Sequence, residues 1–404
     1  GEGLMELPAT FAHLIYSPYI DLFPAHVDAP FHVHGLAWAA EEALDGISHG
    51  FIQASVNASF REELTTGQLS RYAATSPQDV GSAATNDRWR ELQRLSANIS
   101  RLNRRQALAV CWTTSRLGFH SFALELLARL GDGHEEQYLR AWCLFRLSLD
   151  GAASHDHLDF AKVYEISPPG VTKVDSAYQM VKHYAKSVAN LDKAMVWQRL
   201  HGRAIDEFAR NGSHDEISRL RSRYHRVGGF LPQLQNDPAG VADEMGSAEE
   251  IARLLRRDTD EQRMLADEML YPCIESRIKE AIWIDDFSLA HQRANEYMEM
   301  RPLDPKGWFH LGDVNLSAAK HESALHAFSM AEALAPPGAA IAQFMQGVCH
   351  ESMGDMVPAL ACYVKATSTD PLAISAFEGA ERAAAKFPLM DKLGDFTRNR
   401  RLTI

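Results

Sequence analysis

From Trp89 onward, apolar residues return every three or four positions. Trp89, Leu92, Leu95 and Ile99 make one such stripe, the mark of a helix that buries one side. The pattern predicts further helices over Arg104 to Leu117, Ser121 to Leu130 and Glu135 to Leu147, parted at Gly118 and at Gly131-Asp132-Gly133. A short helix over Asp156 to Tyr164 ends before Ser167-Pro168-Pro169-Gly170, a run that cannot continue a helix. Long helices are expected over Ser176 to Asn190, Asp192 to Asn211 and His214 to Val227. Gly228-Gly229, Pro232 and Pro238-Ala239-Gly240 read as an irregular region. Helices over Ser247 to Arg256 and Glu261 to Leu270 follow, with Asp258 a candidate cap for the second. No segment alternates polar and apolar residues for long enough, with enough Val, Ile or Thr, to make a strand. The fold class that follows is all-α.

The first part of the chain has a different texture. Pro8, Pro18, Pro24 and Pro30 are too closely spaced for long helices, so residues 1 to 35 read as irregular, leading into helices from about Gly35 to Asp45 and from about Phe51 to Arg71. The small and turn-forming residues of Ala74 to Asp87 make the best linker. Three regions result: 1–86, a His- and Pro-rich segment with helices; 87–270, a helical domain whose Leu108, Cys111, Ala123, Leu126 and Leu127 have the size pattern of a degenerate hairpin repeat; and 271–404.

That last region carries a repeat. Trp308, Leu311, Gly312, Ala324, Phe328, Ala331 and Pro336 are answered by Gly347, Ala359, Tyr363, Ala366 and Pro371, each 35 residues beyond its counterpart. An earlier copy keeps Ala290 and Pro302 and places Ile274, Ala281 and Tyr297 at apolar positions, with Ile278 in the glycine place. These residues resemble the tetratricopeptide repeat, a 34-residue unit written W-x2-L-G-x2-Y, then Ala, an aromatic, Ala and Pro. The resemblance covers about Tyr271 to Asp370, with Ala373 to Phe387 as a closing helix. It departs at Asn315, where the pattern has Tyr, and at Gln343 and Gln346, which replace the Trp and Leu of the second copy. The resemblance implies a superhelix of paired antiparallel helices that bury their apolar faces only on one another. Gly312 and Ala324 would supply the lack of bulk where two helices cross, and Trp308 and Phe328 would fill the space beside them.

The resemblance also implies a binding groove lined by the first helix of each pair. Here that face offers Lys306, Phe309, Asp313 and Leu316, then Ile341, Phe344, Val348 and Glu351. The lysines and asparagines with which some members clamp a carboxylate are not reproduced. An apolar strip with acidic edges suits a helix or an apolar peptide with basic flanks; the same strip also suits packing on the chain's own N-terminal part.

Composition narrows the alternatives. The formal net charge of -12 argues against nucleic acid, which needs clustered Lys and Arg. The charge is uneven: the first 60 residues hold seven Asp or Glu and no Lys or Arg, whereas Arg88, Arg90, Arg94, Arg101, Arg104 and Arg105 crowd one segment, a solvated face or a mate for the acidic stretch. Five cysteines without a C-x-x-C pair fit reduced thiols and a cytoplasmic location. No run of about 18 uncharged apolar residues is present to span a membrane, and the N-terminus lacks the pattern of a signal peptide.

One cluster has chemical character. His26, Asp28, His32 and His34 share parity, so an extended backbone would set all four on one side, where they could ligate zinc, iron or manganese. The phrase from His26 to His32 also resembles part of the metal-binding motif of the cyclase and kynurenine-formamidase family, H-x-G-T-H-x-D-x-P-x-H. That resemblance implies His26, Asp28 and His32 as the later ligands, although Leu22 stands where its first His belongs and Pro24 replaces its Gly. No H-E-x-x-H, phosphate loop, dinucleotide fingerprint or G-x-S-x-G elbow is present, so no other cofactor or catalytic set is indicated. The balance favours a noncatalytic protein- or peptide-binding scaffold, adaptor or accessory subunit. A metal-dependent enzyme built on the His and Asp cluster, or a peptide-responsive regulator, are the alternatives.

Overall fold

A computed structural model describes residues 94–116, 120–149, 158–300, 305–334, 339–369 and 374–386. The expected helices before residue 87 and the residues His26, Asp28, His32 and His34 lie outside these. Among the described residues the regular elements are all helical. The chain divides into two compact units, Gly1–Glu280 and Ala281–Ile404.

The first unit is a run of helices that pack mostly on helices one or two places away in the chain. They are α1 (Arg104–Arg116), α2 (His120–Leu127), α3 (His134–Leu149), α4 (Leu158–Ile166) and α5 (Val171–Lys182). After them come α6 (Leu191–Phe208), α7 (His214–Gly228), α8 (Phe230–Leu234), α9 (Pro238–Arg253) and most of α10 (Asp260–Trp283). The stripe residues converge as expected: Ile99, Leu108, Cys111, Ala123, Leu126 and Leu127 join Trp112, Tyr138 and Phe160 in one core. The ring of Tyr138 stands 5.9 Å from Trp112 and 5.5 Å from Phe160, at the separations that favour tilted aromatic pairs.

Four local expectations are corrected. Pro238-Ala239-Gly240 begins α9 instead of breaking the chain, because Pro is suited to a helix's first position and the Asp237 side chain accepts the Gly240 N–H at 3.1 Å. The helix expected over Ser176 to Asn190 starts earlier, at Val171, and passes into a π turn at His183–Ser187. Thr259, not Asp258, caps α10: its hydroxyl accepts the Gln262 N–H at 3.1 Å while the Gln262 side chain accepts the Thr259 N–H at 3.1 Å. That helix then runs on through Pro272 to Trp283 instead of stopping near Leu270; Cys273, Ile274 and Ile278 are buried along it, and this packing outweighs the backbone bond that proline cannot donate.

The second unit is a stack of helical hairpins. Its helices are α11 (Phe287–Met300), α12 (Pro305–Ser317), α13 (His321–Leu334), α14 (Ala339–Met353), α15 (Met356–Thr369) and α16 (Ile374–Ala384), each packed on the next in sequence. Ala324, Phe328 and Ala331 are fully buried, as are Ala359, Tyr363 and Ala366. A Cβ added at Gly312 would stand 2.4 Å from the Phe328 ring, and one at Gly347 2.6 Å from the Tyr363 ring. Each glycine is therefore the slot for the aromatic of the facing helix. Gly379 on α16 repeats the device from the other side, with an added Cβ 2.8 Å from Tyr363.

The turns repeat as faithfully. Asp285, Ala319 and Gly354, one period apart, all adopt positive φ, at 59°, 56° and 85°. At each, a helix ends with the N–H of the next residue bonding back five places: Asp286 to Ala281, Lys320 to Asn315 and Asp355 to His350, at 2.8 to 2.9 Å. This is the Schellman ending, which glycine enters without strain and Ala319 does not. Ala324 has no room to grow, so Ala324→Leu should cost about 1 to 3 kcal/mol by overpacking. Lys320→Ala, at an exposed position, should leave the unfolding free energy from urea titration within about 0.5 kcal/mol of the parent.

Candidate functional site

The eight groove residues fall on α12 and α14, and the structure divides them. Lys306 and Phe309 are buried, and Phe309 lies 6.2 Å from the Phe328 ring inside the core of its hairpin. Leu316 is half-buried against the same core, and Asp313 is half-buried. Phe344 repeats the place of Phe309, 5.6 Å from the Tyr363 ring. Val348 packs beside it on the cluster of Ala359, Leu360 and Tyr363. Ile341 is the exposed member, with 38% of its surface open.

Glu351 is engaged within the chain. It accepts the Tyr363 hydroxyl at 2.5 Å and two bonds from the Arg382 guanidinium at 3.2 and 3.3 Å. The Arg382 bond, more than burial opposes it, holds the Glu351 carboxyl below its ordinary range, and burial with the bonded Glu351 pushes the Tyr363 phenol up. Leu316 and Phe328 hold the equivalent places one period earlier and belong to one apolar cluster. The two repeats thus differ by a coupled exchange: Leu with Phe in one, Glu with Tyr in the next.

A second polar node explains why Gln343 and Gln346 replace Trp and Leu. Their side-chain amides donate to the two oxygens of Glu332 at 2.9 and 2.7 Å, and Lys365 reaches the same carboxylate at 2.5 Å. Burial works to raise Glu332, but these three donors win and hold it low. The two substitutions that look like decay of the repeat are instead ligands for a charge on the preceding hairpin.

Sequence patterning did not point to the recess formed by α11, α12 and α13. It has a volume of about 590 Å³ and is lined by His291, Asn295, Leu311, Asn315, Lys320, Glu322, Ser323 and His326. The signal that could have found it was the missing aromatic at Asn315. Among the described residues, no group of three or more His, Cys, Asp or Glu is placed to hold a metal, and no helix is long and apolar enough to cross a membrane.

No protein-family model matches the chain, and no curated protein matches it. Solved structures with similar helical arrangement include PilW, a type IV pilus biogenesis factor, at 14% identity and a TM-score of 0.39, covering 61% of this chain and 98% of that one. Acl4, the assembly chaperone of RpL4, gives 15% identity and a TM-score of 0.33 over 65% of this chain and 100% of its own. The human IFIT1 dimer with m7Gppp-AAAA gives 12% identity and a TM-score of 0.33 over 94% of this chain and 91% of its own. Likenesses this distant say nothing about what this chain binds.

Proposed function

We propose that residues from about Tyr271 onward are tetratricopeptide repeats with a closing helix, following a separate helical domain over 87–270, and that the chain is a noncatalytic scaffold, adaptor or accessory subunit. It binds a protein or peptide along the face of α12 and α14, in a reducing compartment such as the cytoplasm where its thiols stay free. The observation that carries this reading is the regular hairpin stack, in which the aromatic members Phe309 and Phe344 hold the repeats together while Ile341 stands exposed on the same helical face. Stacked hairpins of this kind present long continuous surfaces instead of a closed pocket. Glu351, the acidic residue at the far end of α14, is committed to Arg382.

The test is recovery of a partner from native extract by the full chain and by Ile341→Asp. Phe309 and Phe344 are unsuited as probes because their loss would damage the core. The variant should melt as the parent does and recover at least about tenfold less of a specific partner, the effect of losing one good apolar contact. Equal recovery by both proteins would rule out this face.

A further inference from the structure

The repeat pattern calls for a tyrosine three residues after the glycine of its first helix, and this chain has Asn315 there. The place of the missing ring has not been filled by neighbours. Asn315 instead lines the recess of about 590 Å³, a volume in the range of pockets that hold small organic groups. Asn315 is only 4% exposed. Its backbone carbonyl accepts the Lys320 N–H at 2.8 Å, but its side-chain amide makes no hydrogen bond among the described residues. Across from it, His291 has its Nε2 buried and likewise unpartnered. A buried ring nitrogen without a partner, beside an amide that meets only the recess, favours a ligand that brings hydrogen-bonding groups to both.

The remaining lining narrows what that can be. Leu311 offers an apolar wall, and His291 and His326 contribute flat rings against which an aromatic group can lie. Lys320 and Glu322 place opposite charges at the rim, so an anion or a cation gains little. The requirement is a flat apolar body with one polar tip that can both donate and accept, and the phenol of tyrosine is the side chain that meets it. We propose that this recess is a socket for a tyrosine side chain supplied by a partner polypeptide, its ring on Leu311 and its hydroxyl on the Asn315 amide. The socket goes beyond the α12 and α14 face, since it shares none of the eight residues of that face, and either site can fail alone.

The experiment titrates N-acetyl-L-tyrosinamide into the full-length chain and follows it by saturation-transfer NMR. Saturable binding is expected at a dissociation constant on the order of 1 mM, the range for a ligand of this size. N-acetyl-L-phenylalaninamide should bind at least about fivefold more weakly, because it leaves the Asn315 amide unsatisfied. Asn315→Tyr, which fills the socket from within, should abolish binding and raise the melting temperature. Ser323→Trp, at an exposed lining position, should block the mouth without disturbing the core, and it keeps the test decisive if the first variant misfolds. Absence of saturable binding to the parent chain, equal affinity for the phenylalanine analogue, or undiminished binding to Ser323→Trp would each overturn the proposal.

Discussion

Arg104→Ala should destabilise the first unit by about 2 to 3 kcal/mol, the cost of leaving the buried Glu136 carboxylate without its donors, discounted because Arg104 itself is 55% exposed. Glu136 is 1% exposed at the start of α3. Both of its oxygens are met by Arg104 from the start of α1, at 2.8 and 2.7 Å, and the third guanidinium nitrogen reaches Glu135 at 2.8 Å. The paired Glu136 carboxylate in turn raises the Arg104 pKa. Gly133 makes the approach possible, since a Cβ there would stand 2.4 Å from Glu136 Oε2 and 2.8 Å from the guanidinium. Urea unfolding followed by circular dichroism measures the effect. The double variant Arg104→Met with Glu136→Met, which removes both charges, should recover most of the loss. A single variant within about 0.5 kcal/mol of the parent would show that the pair is not supporting the fold.

The second large effect is a loss of stability in acid that traces to His201. Its ring is 1% exposed, between Tyr178 at 5.9 Å and Tyr224 at 5.3 Å, and its Nδ1 has no hydrogen-bond partner. Burial, with the nearby Arg223 guanidinium, pushes its pKa down to about 3. Arg223 itself is tied to the buried Asp175 at 2.6 Å, so the positive charge beside the ring stays in place. The folded chain thus holds His201 neutral, whereas the unfolded chain takes up a proton near the ordinary value of about 6.5. The contribution is full above that value and is lost as the pH falls from about 6.5 toward 3, at about 1.4 kcal/mol per unit. At pH 4.5 that amounts to roughly 3 kcal/mol. His201→Gln, uncharged throughout, should remove this part of the slope. Between pH 6 and 4.5 the two proteins' unfolding free energies should converge by about 2 kcal/mol. Glu332 and Glu351, held low by their partners, lose stability only below about pH 4.5, so the window above it isolates the histidine. Parallel curves for parent and variant across the window would refute the assignment.

Much of the second unit was legible before any coordinates. Gly312 with Phe328 and Gly347 with Tyr363 are small and large residues at a fixed separation, and the structure sets each glycine against its ring. In the first unit the apolar stripes located α1, α2 and α3 to within a few residues. The errors came where one residue type has two opposite uses. Pro238 and Gly240 look like a break, yet with Asp237 ahead of them they open a helix; the helix expected to stop near Leu270 and the repeat expected to start near Tyr271 are one helix, α10, which the burial around Pro272 carries through. The proposed binding face was legible as a face but not as an exposed surface. Lys306 and Phe309 share a helical stripe with Asp313 and Leu316, and periodicity cannot tell which part of a stripe the adjacent helix will cover.

The sequence by itself determined the all-helical character, the repeat period and the crossing residues, because each depends on spacing within a few turns of one chain segment. It also recorded, in Asn315, the absence that opens the recess. Tertiary structure alone decided that Arg104 closes on Glu136, that Gln343, Gln346 and Lys365 converge on Glu332, and that Glu351 is consumed by Tyr363 and Arg382. Those partners stand on different helices, and a carboxylate's partner is set by how two helices are docked, at a scale of a few Å that local periodicity does not encode.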